Sequence, residues 1–260
     1  MTTPMLLRVT DLGKSFGGVR AVDGVSFSLA PGELMAMIGP NGAGKSTTFN
    51  LLNGQLRADT GSAQLATPAG TQELVGLSPR AIWQHRVGRT FQVAETFASL
   101  TVLENVQMAL LAADRKYFAV WRRATHYRAA DALALLAQVG MAAQAAQPGS
   151  TLAYGDVKRV ELALALASAP RLLLMDEPTA GMAPGERHAL MALVRGLVKS
   201  QGLSVLFTEH SMDVVFGYAD RVMVLARGRV VATGTPDAIR VDPQVQAVYL
   251  GGGTPAANHP

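Results

Sequence analysis

The 260-residue sequence contains no cysteine, so disulfides and thiolate metal sites are excluded; the absence is compatible with a reducing cytoplasm. It also lacks an unbroken apolar run of membrane-spanning length. The longest charge-free stretch, residues 132–155, is interrupted by Gln138, Gly140, Gln144, Gln147, Pro148, Gly149 and Ser150. Unsatisfied polar groups in lipid cost roughly several kcal/mol each, so this stretch is read as a soluble helix followed by a loop. The first twelve residues hold an apolar patch, but Arg8 is their only cation and no small-residue cleavage pattern follows, which argues against a signal peptide. A cytoplasmic chain is expected. Clustered cations are missing too: the net charge of +4 is scattered, and Arg122-Arg123 is the only adjacent arginine pair. A surface that tracks nucleic-acid phosphates needs such clusters, so no nucleic-acid partner is expected.

What is present describes a compact globular protein. Hydrophobic residues make up 49% and charged residues 16%, outside the range of disordered tails and highly charged coiled coils. The length suits one large domain, or one domain carrying a smaller insertion.

Short β-like runs at residues 7–12 and 25–29 lead to Pro31-Gly32-Glu33 and then to Leu34–Ile38, a continuous apolar run suited to a buried strand. A helix is expected over residues 45–53, with Gly54 as its stop. Residues 61–75 read as a small antiparallel excursion, and residues 86–92 as another strand. From Thr101 to Met141 the period becomes helical, with Val102, Val106, Leu110, Leu133, Leu136 and Val139 on its apolar positions. A helix running to Ser168 then precedes strand 172–176, helix 185–200, strand 204–208, helix 212–219 and strand 222–225, and Arg227-Gly228 turns into a last strand over residues 230–233. This strand–helix alternation predicts an α/β fold around a mostly parallel sheet with right-handed crossovers. Residues 251–260, rich in Gly, Pro and Ala, are expected to be a disordered tail.

Two elements carry chemistry. Gly39-Pro40-Asn41-Gly42-Ala43-Gly44-Lys45-Ser46-Thr47 fits the P-loop pattern and lies between a buried strand and a helix. Glycines there let backbone N–H groups point inward, the helix N-terminus adds partial positive charge, Lys45 reaches the outer phosphates and the Ser46 hydroxyl can ligate Mg²⁺. The second is strand 172–176, which ends in Asp176-Glu177-Pro178. Asp176 is suited to hold Mg²⁺, directly or through water, and Glu177 to face the attacking water as general base. ATP and Mg²⁺ are the expected ligands; the two elements support nucleotide hydrolysis or phosphoryl transfer without deciding between them.

Further motifs narrow the choice. Leu152-Ala153-Tyr154-Gly155-Asp156 resembles the signature sequence of ATP-binding-cassette (ABC) proteins. Arg89-Thr90-Phe91-Gln92 resembles their glutamine loop, Ala180-Gly181-Met182-Ala183-Pro184 their D-loop, and Thr208-Glu209-His210 their switch histidine, all in the expected order. The resemblance runs from Leu6 to Gly251. The 152–155 form, residues 89–92, 100–106 and 208–213, and the ending 245–251 resemble the LivG-type ATPases of branched-chain amino acid importers.

That resemblance implies an ABC nucleotide-binding domain over residues 1–250. Its core and antiparallel β subdomain would occupy residues 1–92 and 154–250, with a helical subdomain over 93–153. It also implies a head-to-tail dimer with a second ATPase subunit, homo- or heterodimeric, in which each ATP lies between the P-loop of one subunit and the signature helix of the other. Two permeases and an extracytoplasmic solute-binding protein would complete the importer, leaving this chain peripheral on the cytoplasmic membrane face. Gln92 would sense Mg²⁺ and the attacking water, His210 would contact the γ-phosphate or orient the water, and Phe16 would stack on adenine, with core packing the alternative for Phe16. Tyr117, Phe118, Trp121 and Tyr127 would either line a groove for a permease helix or pack the subdomain. Three positions depart from the pattern: Ala153 replaces the signature serine, Asp156 a glutamine, and Val157 stands where a glutamine is common. Two other classes were weighed. A soluble ABC ATPase remodelling ribosomal or DNA complexes usually resembles paired cassettes or carries long coiled-coil insertions, and a P-loop kinase needs neither signature nor switch histidine.

Overall fold

The computed structural model describes residues 5–90, 96–114 and 127–250. Strands β1 (Leu7–Phe16) and β2 (Val19–Leu29) form a long antiparallel pair from Leu7 opposite Leu29 to Phe16 opposite Val19, with register shifts between Val9 and Ser15. Both run further than the expected strands because Gly17 and Gly18 turn the chain with φ of 52° and 88°, so pairing continues up to the turn. Strand β3 (Leu34–Ile38) is buried at every residue and delivers the P-loop, after which α1 (Lys45–Leu52) begins. Strands β4 (Thr60–Thr67) and β5 (Gly70–Glu73) pair antiparallel and join the first sheet, whose order is β2-β1-β4-β5.

Helix α2 (Pro79–Gln84) was not anticipated, although its start signal is local: Ser78 caps it by accepting from the Ala81 N–H, and Pro79 occupies the first turn. Strand β6 (Val87–Thr90) starts one residue later than expected because Arg86 is left-handed, with φ 64°. Helix α3 (Val102–Ala113) opens on a capping box between Thr101 and Glu104. In α4 (Ala129–Gln138) the helical reading needs one correction. Ala132, Leu136 and Val139 make a narrow buried stripe, and Leu133, one residue off that stripe, is 41% exposed.

The rest of the chain alternates: α5 (Tyr154–Leu166), β7 (Leu172–Asp176), α6 (Pro184–Gln201), β8 (Ser204–Thr208), α7 (Met212–Tyr218), β9 (Arg221–Ala226) and β10 (Arg229–Gly234). Two further helices, α8 (Pro236–Val241) and α9 (Pro243–Leu250), follow and were not expected. The second sheet has the order β10-β9-β3-β8-β7-β6, parallel throughout except for the β9–β10 hairpin. Its central strands are covered on both sides, with successive residues feeding opposite cores. Leu34, Ala36 and Ile38 join the core containing α3 to α7, whereas Met35 and Met37 join the core under α1 and the antiparallel sheet. Burial of both faces is why these strands are continuous apolar runs with no alternation.

The parallel register sets the site. Thr208 lies opposite Met37 on one side and Asp176 on the other. The carboxyl ends of β3, β8 and β7 therefore emerge side by side, where ligands of such sheets bind.

Candidate functional site: a phosphate cavity facing a carboxylate and a histidine

Glycine is required where the P-loop touches its surroundings. At Gly44, with φ 100°, a Cβ would stand 2.4 Å from the Ala21 carbonyl oxygen; at Gly39 it would stand 2.2 Å from that of Leu225. Gly44 also caps α1, which has no side-chain cap and no acidic residue in its first turn. Its leading N–H groups and positive dipole end are thus left for an anion. They face a cavity of 270 Å³ lined by Ala21, Asn41, Gly42, Ala43, Gly44, Lys45, Ser46 and Thr47 from one side and by Glu177 and His210 from the other. A second cavity, 280 Å³ between Asn53, Trp83, Arg89 and Glu161, shares no lining residue with it.

Lys45 is 7% exposed, and its Nζ donates to Gly39 O at 2.7 Å and Pro40 O at 3.2 Å. Burial pulls the ammonium below the usual lysine range, while the Glu177 and Asp176 carboxylates act in the opposite direction. Such a cation gains from any phosphate that enters.

Opposite it, Asp176 is 8% exposed and its Oδ1 accepts from Thr208 Oγ1 at 2.7 Å. The same Thr208 oxygen accepts from the Glu177 N–H at 3.0 Å. Glu177 stands in the left-handed backbone region, φ 48°, with Oε1 2.8 Å from His210 Nε2. These oxygen donors suit Mg²⁺, which takes one or two carboxylates or hydroxyls and completes its octahedron with phosphate and water. Ser46 and Asp176 are the residues here that fit it.

Of the other expected site residues, Gln92 lies outside the described residues, as do Tyr117, Phe118 and Trp121. Phe16 is not a core residue: it is 46% exposed at the end of β1, with Lys14 Nζ 5.6 Å from its ring centroid. Gly39, Pro40 and Asp176 do not line the phosphate cavity: the Gly39 and Pro40 carbonyls hold Lys45, and the Asp176 carboxylate acts on the Lys45 ammonium from beside it. Tyr127 packs against the core and bonds through its hydroxyl to Asp114. None of Leu152, Ala153, Tyr154, Gly155 and Asp156 lines the cavity of its own chain. They form the start of α5, where Ala153 and Tyr154 are exposed and Gly155 is buried beneath Glu186, whose Oε1 would lie 3.0 Å from an added Cβ. Reading the sequence by motif missed Thr208, Glu209 and Thr179 as participants. The signal available was polar residues at the ends of two neighbouring buried strands.

The N-cap position of α5 is Ala153, which makes no side-chain bond. Ala153→Ser is expected to stabilise the protein by about 1 kcal/mol by capping the helix. It should change ATP hydrolysis by less than about tenfold, roughly 1.4 kcal/mol of barrier. Thermal unfolding and a steady-state ATPase assay check the two halves.

A P-loop on a parallel sheet, two strand-end carboxylates and a histidine across the cavity define the class: a P-loop ATPase. Residues 22–180 match the family described as ABC transporter, and residues 229–255 match that described as branched-chain amino acid ATP-binding cassette transporter. The chain belongs to the ABC transporter family, as one of its ATP-binding cassettes. It is 37% identical over 257 residues to the high-affinity branched-chain amino acid transport ATP-binding protein LivG of Escherichia coli (strain K12), covering 95% of this chain and 98% of that protein. Among solved structures, the ADP conformation of an ATP-binding cassette of an ABC transporter superposes with a TM-score of 0.82 at 29% identity, covering 96% of this chain and 100% of that one. A cassette described as a dimer in a post-hydrolysis state bound to ADP and Pi superposes with a TM-score of 0.73 at 25% identity, covering 88% and 98%.

Proposed function

We propose that this chain is the ATP-hydrolysing subunit of an importer for branched-chain amino acids or related small polar solutes. The observation that carries the reading is near-full-length similarity to LivG together with the branched-chain match at residues 229–255. Its partners are a second ATPase subunit, two permeases and, indirectly, an extracytoplasmic solute-binding protein. No described helix is long and apolar enough to cross a membrane, in keeping with a peripheral subunit on permeases at the cytoplasmic face. Residues 93–153 act as the helical subdomain between the permease and the ATP core, formed by 1–92 and 154–250.

In this reading the triphosphate enters the 270 Å³ cavity and Lys45 leaves the Gly39 and Pro40 carbonyls for the outer phosphates. Backbone donors of residues 41–47 hold the β- and γ-phosphates. Ser46, Asp176 and Gln92 would hold Mg²⁺, which when bound would supply charge neutralisation on the phosphate oxygens. Glu177 accepts a proton from the water that attacks the γ-phosphorus as the bond to the ADP oxygen breaks, and His210 holds the Glu177 carboxylate and contacts the γ-phosphate. Phe16 stacks on adenine. The exposed start of α5 meets the γ-phosphate held by the neighbouring subunit and offers it Gly155 N–H and a positive dipole end, so ATP joins the two subunits and hydrolysis separates them.

The test is co-purification from the native host, followed by reconstitution in vesicles with labelled leucine outside. The expected result is two permease chains in the complex and ATP-dependent leucine accumulation. A complex holding ribosomal or other nucleic-acid components and no permease would overturn the reading.

A further inference from the structure

Glu177 carries backbone strain. A non-glycine residue at φ 48° costs of order 1 kcal/mol or more, and such a conformation persists only where its neighbours enforce it. The enforcing contacts come from Thr208-Glu209-His210. On the near side of Glu177, its N–H is held by Thr208 Oγ1. Two residues further on, the Thr179 N–H and hydroxyl both donate to Glu209 Oε1, the former at 3.1 Å. The other carboxylate oxygen, Oε2, accepts from the His210 N–H at 2.9 Å and the Ser211 N–H at 3.2 Å.

Glu209 is 3% exposed and Thr179 1% exposed, and neither lines the phosphate cavity. One buried carboxylate thus accepts from four donors, two on the turn that follows Glu177 and two on the turn that presents His210. With both oxygens engaged it has no free acceptor to aim at a ligand, so its reach into the site is through the backbone of these two turns.

We propose, building on the ATPase reading above, that Glu209 is a positioning residue for hydrolysis. By tying Thr179 to the His210 turn, it holds Glu177 in its left-handed conformation with the carboxylate against His210. The base and its histidine then move as one unit, and the loop that continues through Met182 toward α6 is tied to the same anchor.

Glu209→Gln tests this. An amide cannot accept from all four donors, since its NH₂ must oppose one pair of N–H groups. We expect kcat to fall by roughly tenfold or more while KM for ATP changes by less than about twofold, because the phosphate-binding loop is untouched. In a Glu177→Gln background, measured by single turnover, the same substitution should slow the residual reaction distinctly less than in the wild type, since the part exerted through Glu177 is gone and only the hold on the His210 turn remains. Thr179→Val, which removes only the hydroxyl donor, should lose more rate than Thr179→Ser, and this pair decides the matter if Glu209→Gln does not fold.

Three results would each overturn the proposal: equal slowing in both backgrounds, a raised KM with unchanged kcat, or equal rates for the two Thr179 variants. A wild-type chain without Mg-ATPase activity would instead sink the ATPase reading itself.

Discussion

Glu177→Gln is expected to lower steady-state ATP hydrolysis by about 10²–10⁴-fold, the usual contribution of a positioned general base, while ATP affinity is kept. The reason is geometric. Residues 41–47, Lys45 among them, supply most of the cavity lining and Glu177 lies outside that loop, so loss of one carboxylate oxygen leaves the phosphate contacts in place. An amide still reaches His210, 2.8 Å away in the native site, but cannot take a proton from water. Because ATP then persists, the variant should also accumulate the proposed nucleotide-bridged dimer with a second ATPase subunit. Size-exclusion chromatography with Mg-ATP, on the chain alone and mixed with that subunit, reports it. A profile unchanged from the nucleotide-free protein in both cases would count against the dimer.

Lys45→Ala and its length-preserving counterpart Lys45→Met are expected to weaken ATP binding by about a hundredfold or more. Losing two charge-assisted bonds at about 1.5–3 kcal/mol each suffices for that. The folded pKa of Lys45 lies below its unfolded value, with burial the main cause. Below the folded pKa the charged form therefore costs stability in the nucleotide-free protein, and this cost fades as pH rises toward the ordinary lysine value of 10.5. Lys45→Met removes that charge together with the bonds to Gly39 O and Pro40 O, so the two effects on the nucleotide-free protein oppose each other, while its melting temperature should gain nothing from added ATP. Equilibrium filter binding and thermal unfolding with and without Mg-ATP measure both effects; wild-type affinity in either variant would contradict the role given to Lys45.

The parts of the fold that were legible are those in which one periodicity decides. Leu34–Ile38, Leu172–Asp176 and Ser204–Thr208 match their expected bounds because strands buried on both faces tolerate only apolar residues. The short helices were harder. Helix α2 announces itself only by Ser78-Pro79 and α8 only by Thr235-Pro236, local caps on six-residue helices too short to show a period. Leu133 was misplaced because apolar spacing cannot say how wide a buried stripe is once the neighbouring helix has chosen its face.

In the site, the residues with a motif were readable, while those whose role comes from strand register were not. Thr208 reaches Asp176 because β7 and β8 pair side by side, and Glu209 reaches Thr179 across the next turn. Neither contact is encoded at a fixed spacing along the chain. The separation between Glu177 and His210 in sequence likewise carries no hint that the two side chains meet.

The central claim is that the cavity between the 41–47 loop and the Glu177–His210 pair holds the triphosphate. A structure of the Glu177→Gln variant with Mg-ATP tests it most directly. Lys45 Nζ should have left Gly39 O and Pro40 O for the β- and γ-phosphates, and the γ-phosphate should sit between Lys45 and His210. A triphosphate bound elsewhere, with Lys45 still on those two carbonyls, would contradict the account.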